Sequence, residues 1–420
     1  MSKNKVELSQ SLFVPLVGIA AVVALLTWIV GWALPLVLGA IIVMVMGHEF
    51  GHFITAKRSG MLVTDFFVGF GPVLWSRTVG ETRYGIRALL LGGYVKVPGM
   101  TWFDNVDPAL ESRTYRAATY PRKVLFASAG SLMHLVMAFI LAWASLTFVG
   151  YPAQNHVGVT AFSKWDGHAL NAAQQAGLRI GDRIEAIDGI TVANSTQMVG
   201  IIHAHAGVPL TLNVQRGSNS LTLRATPVDG RTIKENGAPL VSATSPVGYL
   251  GIAVDAQTVH ASVFGAVPTA VSTIGSMIAS AAHGMVHVFS PGQFSSLFHQ
   301  VASPAAATNP INQQQRPQSI VGVVRIAVQS TKSGIATLLS ILVAVNIFVG
   351  LLNMLPMLPL DGGYVLVATY ERLRSRRGVR YQADVNKLTP LVVGFMGVLL
   401  VLFACTLYLD IVHPIANPFQ

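Results

Sequence analysis

Charge is scarce in this chain. Only 11% of its 420 residues are Asp, Glu, Lys or Arg, while 52% are hydrophobic; soluble domains carry roughly 25% charged residues. So little charge argues against a soluble globular architecture and for a chain built to meet a bilayer. Acidic residues are scarcer than basic ones, 18 against 28, giving a net charge of +10. That excess does not point to nucleic acid. The basic residues gather in "AKRSG", "YPRKV" and "ERLRSRRGVR", beside apolar runs, as in the cytoplasmic loops that orient membrane proteins. Contact with anionic lipid follows from such loops. The single cysteine, Cys405, excludes a disulfide framework or a cysteine zinc cluster within the chain. A cleavage signal is lacking too: Lys3 and Lys5 precede an apolar run at 12–30 with no small-residue cleavage pattern after it, so the run reads as a retained anchor.

Long apolar runs are what the chain does have. Residues 12–30, 34–54, 124–149, 335–355 and 391–409 are each long enough to span a bilayer. With the Lys3/Lys5 end inside, alternate crossings bring Lys57-Arg58, Arg122-Lys123 and the basic stretch 372–380 to one side, as the positive-inside bias expects. The region after Tyr151 and the C-terminus fall outside. The turn near Trp32 and Pro35 is short, so the first two runs also fit one broken or re-entrant element. Residues 62–97 alternate aromatic, β-branched and basic side chains between glycines and read as short strands with hairpins. Open strand edges cannot face lipid, so this region is expected to be covered by protein or to border water. It is either a structural hairpin or an edge for an extended substrate. Residues 151–230 read as a soluble domain, with a hairpin turning at 216–220. Residues 261–289 read as an interfacial helix, and the polar Pro/Gln/Asn stretch 303–318 as a mobile loop.

The chemistry starts at "HEFGH". On a helix His48 and His52 lie one turn apart on one face, so both imidazoles can reach one metal, and Glu49 can serve water bound there. Ionisable groups in an apolar span read as functional by default. A third ligand is required. Apart from Glu49, only Asp361 and Asp410 of the 18 acidic residues adjoin apolar spans. Asp410 sits at a span end, as a boundary residue would. Asp361 lies within "NMLPMLPLDGGYVLV", where an unpaired carboxylate would be expensive. Zinc removes that problem; a helix-capping role is the alternative.

Together these features resemble the site-2 protease family of intramembrane zinc metalloproteases. The resemblance rests on "HEFGH" in an early span, "NMLPMLPLDGG" in a late one, and a stretch from Ala176 to Val192 like the core of a circularly permuted bacterial PDZ domain. It implies a polytopic α-helical membrane protein of about four to five transmembrane helices, with a membrane-associated β-hairpin and an exported PDZ-like α+β domain. It assigns zinc, one per chain, to His48, His52 and Asp361, and acid–base catalysis to Glu49. Asn353 matches a motif asparagine that either contacts substrate or bonds between helices. Gly69 and Gly71 of "GFGP" and Gly92 and Gly93 of "GGYVKV" match the family's hairpin and are candidate substrate-binding positions. The implied substrates are single-span membrane proteins, such as anti-sigma factors or remnant signal peptides, cut in a bacterial inner membrane near its cytoplasmic side. "AGSLMHLVMA" departs from the family, with Ser131 and His134 at its Pro and Asn positions; His134 is either a further polar group near the site or a substitution without catalytic role.

The expected organisation is a tail and extra span (1–33), the HExxH span (34–58), the hairpin and a cytoplasmic loop (59–121), a span (122–150) and the PDZ-like domain (151–255). Interfacial helices and the mobile loop (256–333) follow, then the span with the LDG motif (334–370), a basic loop (371–388), and a final span with its tail (389–420). Two rivals are a membrane-anchored peptidase with a cytosolic site, which lacks a third ligand soon after His52, and a non-enzymatic PDZ scaffold, which leaves the pentad and Asp361 unexplained.

Overall fold

Backbone amides in hydrocarbon have no partner but each other, and the uncharged stretches of this chain fold accordingly as helices. The computed structural model describes residues 8–417 except 101–103, 105, 168, 236–237, 240, 242 and 376–380. Lys3, Lys5 and the end of the basic stretch 372–380 lie outside the described residues. Two units divide the chain, Met1–Ser145 with Val263–Gln420, and Leu146–Ser262.

In the first unit, α1 (Leu8–Val30) and α2 (Ala33–Arg58) are separate helices, parted at Gly31, whose φ of 98° a side chain would resist. Lys57 and Arg58 fill the last turn of α2, where positive charge complements the helix dipole. The expected short strands of 62–97 are parts of two long ones, β1 (Asp65–Val79) and β2 (Thr82–Lys96). Both strands bend, so that residues 65–68 pair with 83–86 on one side and 93–96 on the other, while 75–79 pair with 82–86. Glycines that looked like turns act as bends inside continuous strands. After a loop comes α3 (Tyr120–Ala144), which packs against α2 and against three later helices.

The second unit is built on β3 (Tyr151–Phe162), α4 (Ala172–Gln175), β4 (Arg183–Ile187), β5 (Ile190–Thr191), α5 (Ser195–Ala204), β6 (Leu210–Arg216) and β7 (Asn219–Ala225). Four two-residue strands follow, β8 (Val228–Asp229), β9 (Lys234–Glu235), β10 (Ala238–Pro239) and β11 (Gly248–Tyr249), then β12 (Ile252–Val259). The main sheet runs β12-β3-β4-β6-β7, with β5 on β4. Leu210, Leu212 and Val214 alternate inward along β6, as a strand buried on one face requires. They meet Ile184, Ile187 and Met198 in the core. Arg216 clamps the buried Asp182 through two bonds of 2.7 Å.

The first unit resumes with α6 (Ala266–Val288), α7 (Pro291–Ala302), α8 (Pro304–Thr308), α9 (Pro310–Gln315), α10 (Ile320–Ser330), α11 (Ile335–Asn353), α12 (Asp361–Arg374) and α13 (Thr389–Val412). The stretch expected to be a mobile loop, 303–318, holds α8 and α9. Ser303 and Asn309 cap them, each followed by proline at the first turn, the position where proline loses nothing. Asp410 is more than a boundary residue. It is 1% exposed, accepts from Arg316 at 3.0 Å and the Ser319 amide at 2.7 Å, and ties the end of α13 to the start of α10. Among the described residues four helices are long and apolar enough to cross a membrane: α2, α3 with its continuation to Val149, α11 and α13; the apolar part of α1, Val17–Ile29, is shorter.

Candidate metal centre

Three elements meet at the site. His48 and His52 project from one face of α2, six to ten residues before Arg58. Asp361 is the first residue of α12. The turn before it is tight: a side-chain carbon on Gly362 would fall 2.2 Å from the Met354 carbonyl oxygen, and one on Gly363 2.4 Å from the Leu358 nitrogen. Only glycine lets the chain fold back so closely, and the fold-back turns Asp361 toward α2.

His48 Nε2 and His52 Nε2 are 3.2 Å apart, and Asp361 Oδ2 lies 3.4 Å from the first and 3.3 Å from the second. Nitrogen and oxygen ligands about 2.0–2.1 Å from a tetrahedral zinc stand about 3.3–3.4 Å from one another. The three atoms therefore match one face of such a tetrahedron. Asp361 Oδ2 is buried and has no hydrogen-bond partner, an arrangement expensive for a carboxylate unless a cation faces it. His52 Nδ1 lies 2.8 Å from the Phe126 carbonyl oxygen. A carbonyl only accepts, so Nδ1 carries the proton and Nε2 keeps its lone pair for a metal, the usual support of a ligating histidine.

The α3 side of the site is closed by absence. At Gly130 any side-chain carbon would stand 2.4 Å from His48 Cε1 and 2.5 Å from His52 Nε2. Gly51 of α2 likewise brings that helix against the Ala129 carbonyl, a close crossing of the kind small residues permit. Glu49 is half-buried beside the hairpin: a carbon on Gly93 would come within 3.1 Å of its Cγ. His48, Glu49, His52 and Asp361 line one cavity of about 220 Å³, with Tyr94, Val95 and Tyr364.

The model of peptidase family M50 matches residues 36–400. The chain is a member of that family. Zinc metalloprotease Rip1 of Mycobacterium tuberculosis is 30% identical over 405 residues, covering 90% of this chain and 96% of the relative. Rip1 of Mycolicibacterium smegmatis is 29% identical over 412 residues, with the same coverage. This M50 peptidase is accordingly a zinc metalloprotease and a multi-pass membrane protein, and His48, His52 and Asp361 are positioned to bind its metal ion.

The other expected positions are spread more widely. Gly93 borders Glu49, whereas Gly69, with φ of 84°, packs on the Leu89 carbonyl and Gly92 on the Phe70 ring. These two shape the hairpin rather than line the metal cavity. A carbon added at Gly71, also at φ 84°, would meet the Leu89 side chain, and the Gly71 carbonyl accepts from Arg87 at 2.6 Å. Asn353 closes α11, half-buried. Sequence reasoning missed Gly130, the Phe126 carbonyl and Asn346. Asn346 is buried in α11 and bonded to His134 at 3.0 Å. An amide in the middle of the apolar run of α11 was the available signal for it.

Proposed function

We propose that this M50 peptidase cuts peptide bonds inside transmembrane segments of membrane-protein substrates, near the cytoplasmic face, with zinc held by His48, His52 and Asp361 and with Glu49 as acid–base group. The observation that carries the reading is the convergence of the three ligand atoms and Glu49 on one cavity near the basic end of α2. His52 lies about 9 Å along the helix from Arg58, shallow enough for water to reach it from the side where basic loops gather.

When bound, zinc contributes Lewis-acid activation of water and of the scissile carbonyl. Glu49 takes the proton from the attacking water and returns it to the departing amide nitrogen. A helical substrate hides its carbonyls in hydrogen bonds and must unwind before attack. Residues 93–96 of β2 take 65–68 as their strand partner and lie beside Glu49, which supports their holding the unwound segment as an added strand. Asn353 is proposed to steady the substrate backbone or the developing oxyanion. Unit Leu146–Ser262 is read as the PDZ-like domain on the extracytoplasmic side. Its cavity of about 250 Å³ between α5 and the β11–β12 segment supports capture or sizing of a substrate's outer part. Anti-sigma factors and remnant signal peptides are the proposed substrate classes, by the family resemblance.

Zinc content and cleavage test the assignment together. The wild-type chain should hold about one zinc, and His48→Ala and Asp361→Ala should lose it. Glu49→Gln should keep its zinc, fall at least about a hundredfold in cleavage, and leave trimmed membrane spans to accumulate in cells. Zinc retained by Asp361→Ala, or cleavage preserved in Glu49→Gln, refutes the corresponding role.

A further inference from the structure

The two imidazoles of the site are supported unequally. His52 is oriented by its bond to the Phe126 carbonyl. His48 Nδ1 is buried with only a loose contact to the Gly130 backbone. What stands behind His48 is a third imidazole. The His134 ring of α3 lies with its centroid 5.0 Å from that of His48, tilted by 44°, and His134 is 1% exposed.

His134 is itself pinned. Its Nδ1 is 3.0 Å from Asn346 Oδ1, and Asn346 Nδ2 donates to the Leu342 carbonyl at 2.9 Å. The second bond commits the amide nitrogen of Asn346, so Oδ1 is the atom turned to His134 and Nδ1 must donate. Gly350, one turn further along α11, leaves room for His134: a side-chain carbon there would sit 3.0 Å from His134 Cβ. His134 and Asn346 satisfy each other between apolar helices, polar groups in such a place read as functional by default, and this pair ends at a candidate metal-ligand ring.

We propose that His134, fixed by Asn346, is a positioning residue that holds the His48 ring in its metal-binding orientation, doing by ring packing what the Phe126 carbonyl does for His52. The proposal rests on the reading of His48 as a zinc ligand. It is tested in the detergent-solubilised full chain by chelator competition for zinc and by the visible spectrum of the cobalt-substituted protein. His134→Ala should weaken zinc binding about ten- to a hundredfold, the range for supports of metal ligands, and alter the cobalt bands. Asn346→Leu should follow it, while Asn346→Asp, which keeps an acceptor for Nδ1–H, should stay near wild type. If His134→Ala does not fold, the Asn346 pair decides. Wild-type zinc affinity with an unchanged cobalt spectrum in folded His134→Ala, or equal affinities in the two Asn346 variants, overturns the proposal. A lowered melting temperature with unaltered metal binding marks a merely structural role and also overturns it. A wild-type chain that binds no zinc refutes the metal-site reading instead.

Discussion

A single methyl group should empty the metal centre. In Gly130→Ala the new carbon would stand 2.4 Å from His48 Cε1, 2.5 Å from His52 Nε2 and 2.6 Å from His48 Nδ1. Carbon contacts settle at about 3.5–4.0 Å, so one ring or both must retreat by about 1 Å. His52 is tied at Nδ1 and 7% exposed, and His48 is backed by His134. Metal–ligand distances tolerate about 0.2 Å, so at least one ligand bond is lost. Zinc affinities of about 10–16 kcal/mol shared over four ligands give about 2.5–4 kcal/mol each, or about seventyfold or more in affinity. Alanine is meanwhile the better helix former by about 0.8–1.0 kcal/mol, so metal should be lost without loss of helix. Chelator competition measures the first and circular dichroism the second. Gly39→Ala in α2, with open space around it, is the control. Wild-type zinc affinity in Gly130→Ala would refute the close approach on which the reasoning depends.

Three other perturbations probe the surrounding structure. Burial alone would raise the Asp182 carboxyl, but the Arg216 fork and the Arg179 amide outweigh it and hold the group below its ordinary 3.8. That stability is fully present above the ordinary value and is lost as pH falls through the lowered one. Arg216→Ala should therefore cost about 3 kcal/mol and move acid unfolding of the second unit to higher pH; hydrogen exchange showing an unmoved midpoint would contradict it. Lys123 of α3 meets Glu371 of α12 at 2.8 Å, both largely buried. Lys123→Met should lose about 3 kcal/mol in thermal unfolding, and adding Glu371→Leu should recover much of it; equal losses in single and double variants would argue against a buried pair. At Gly69, φ of 84° and a carbonyl 2.6 Å from an added carbon make alanine cost about 1–2 kcal/mol in backbone strain alone. Gly69→Ala should retain zinc yet loosen protection of the hairpin amides; unchanged hydrogen exchange there would refute it.

The parts of the site that carry chemistry were legible because polar groups stand out in apolar sequence. His48 and His52 announce themselves by spacing, and Asp361 by being a carboxylate with no polar neighbour. Gly130 left no such trace, since its contribution is the lack of a side chain, and "AGSLMHLVMA" drew notice for Ser131 and His134 instead. The Phe126 carbonyl is backbone and has no sequence signature. In the fold, the bends of β1 and β2 were misread as hairpin turns because a glycine at positive φ serves either purpose. The helices at 304–315 were hidden by polar composition, although Ser303-Pro304 and Asn309-Pro310 are cap and first-turn pairs. Asp410 was placed at a span end correctly, but Arg316 lies far off in sequence and in a stretch expected to be a loop.

The distance along the chain between His52 and Asp361 has a consequence in time. A ribosome adding about 5–20 residues per second needs about 15–60 s to travel from one to the other. Throughout that interval α2 carries two imidazoles and Glu49 but no third ligand. On the proposed ligand set, the growing chain therefore holds an incomplete centre until Asp361 is added. By the same ligand set, a chain truncated anywhere before Asp361 lacks its third ligand.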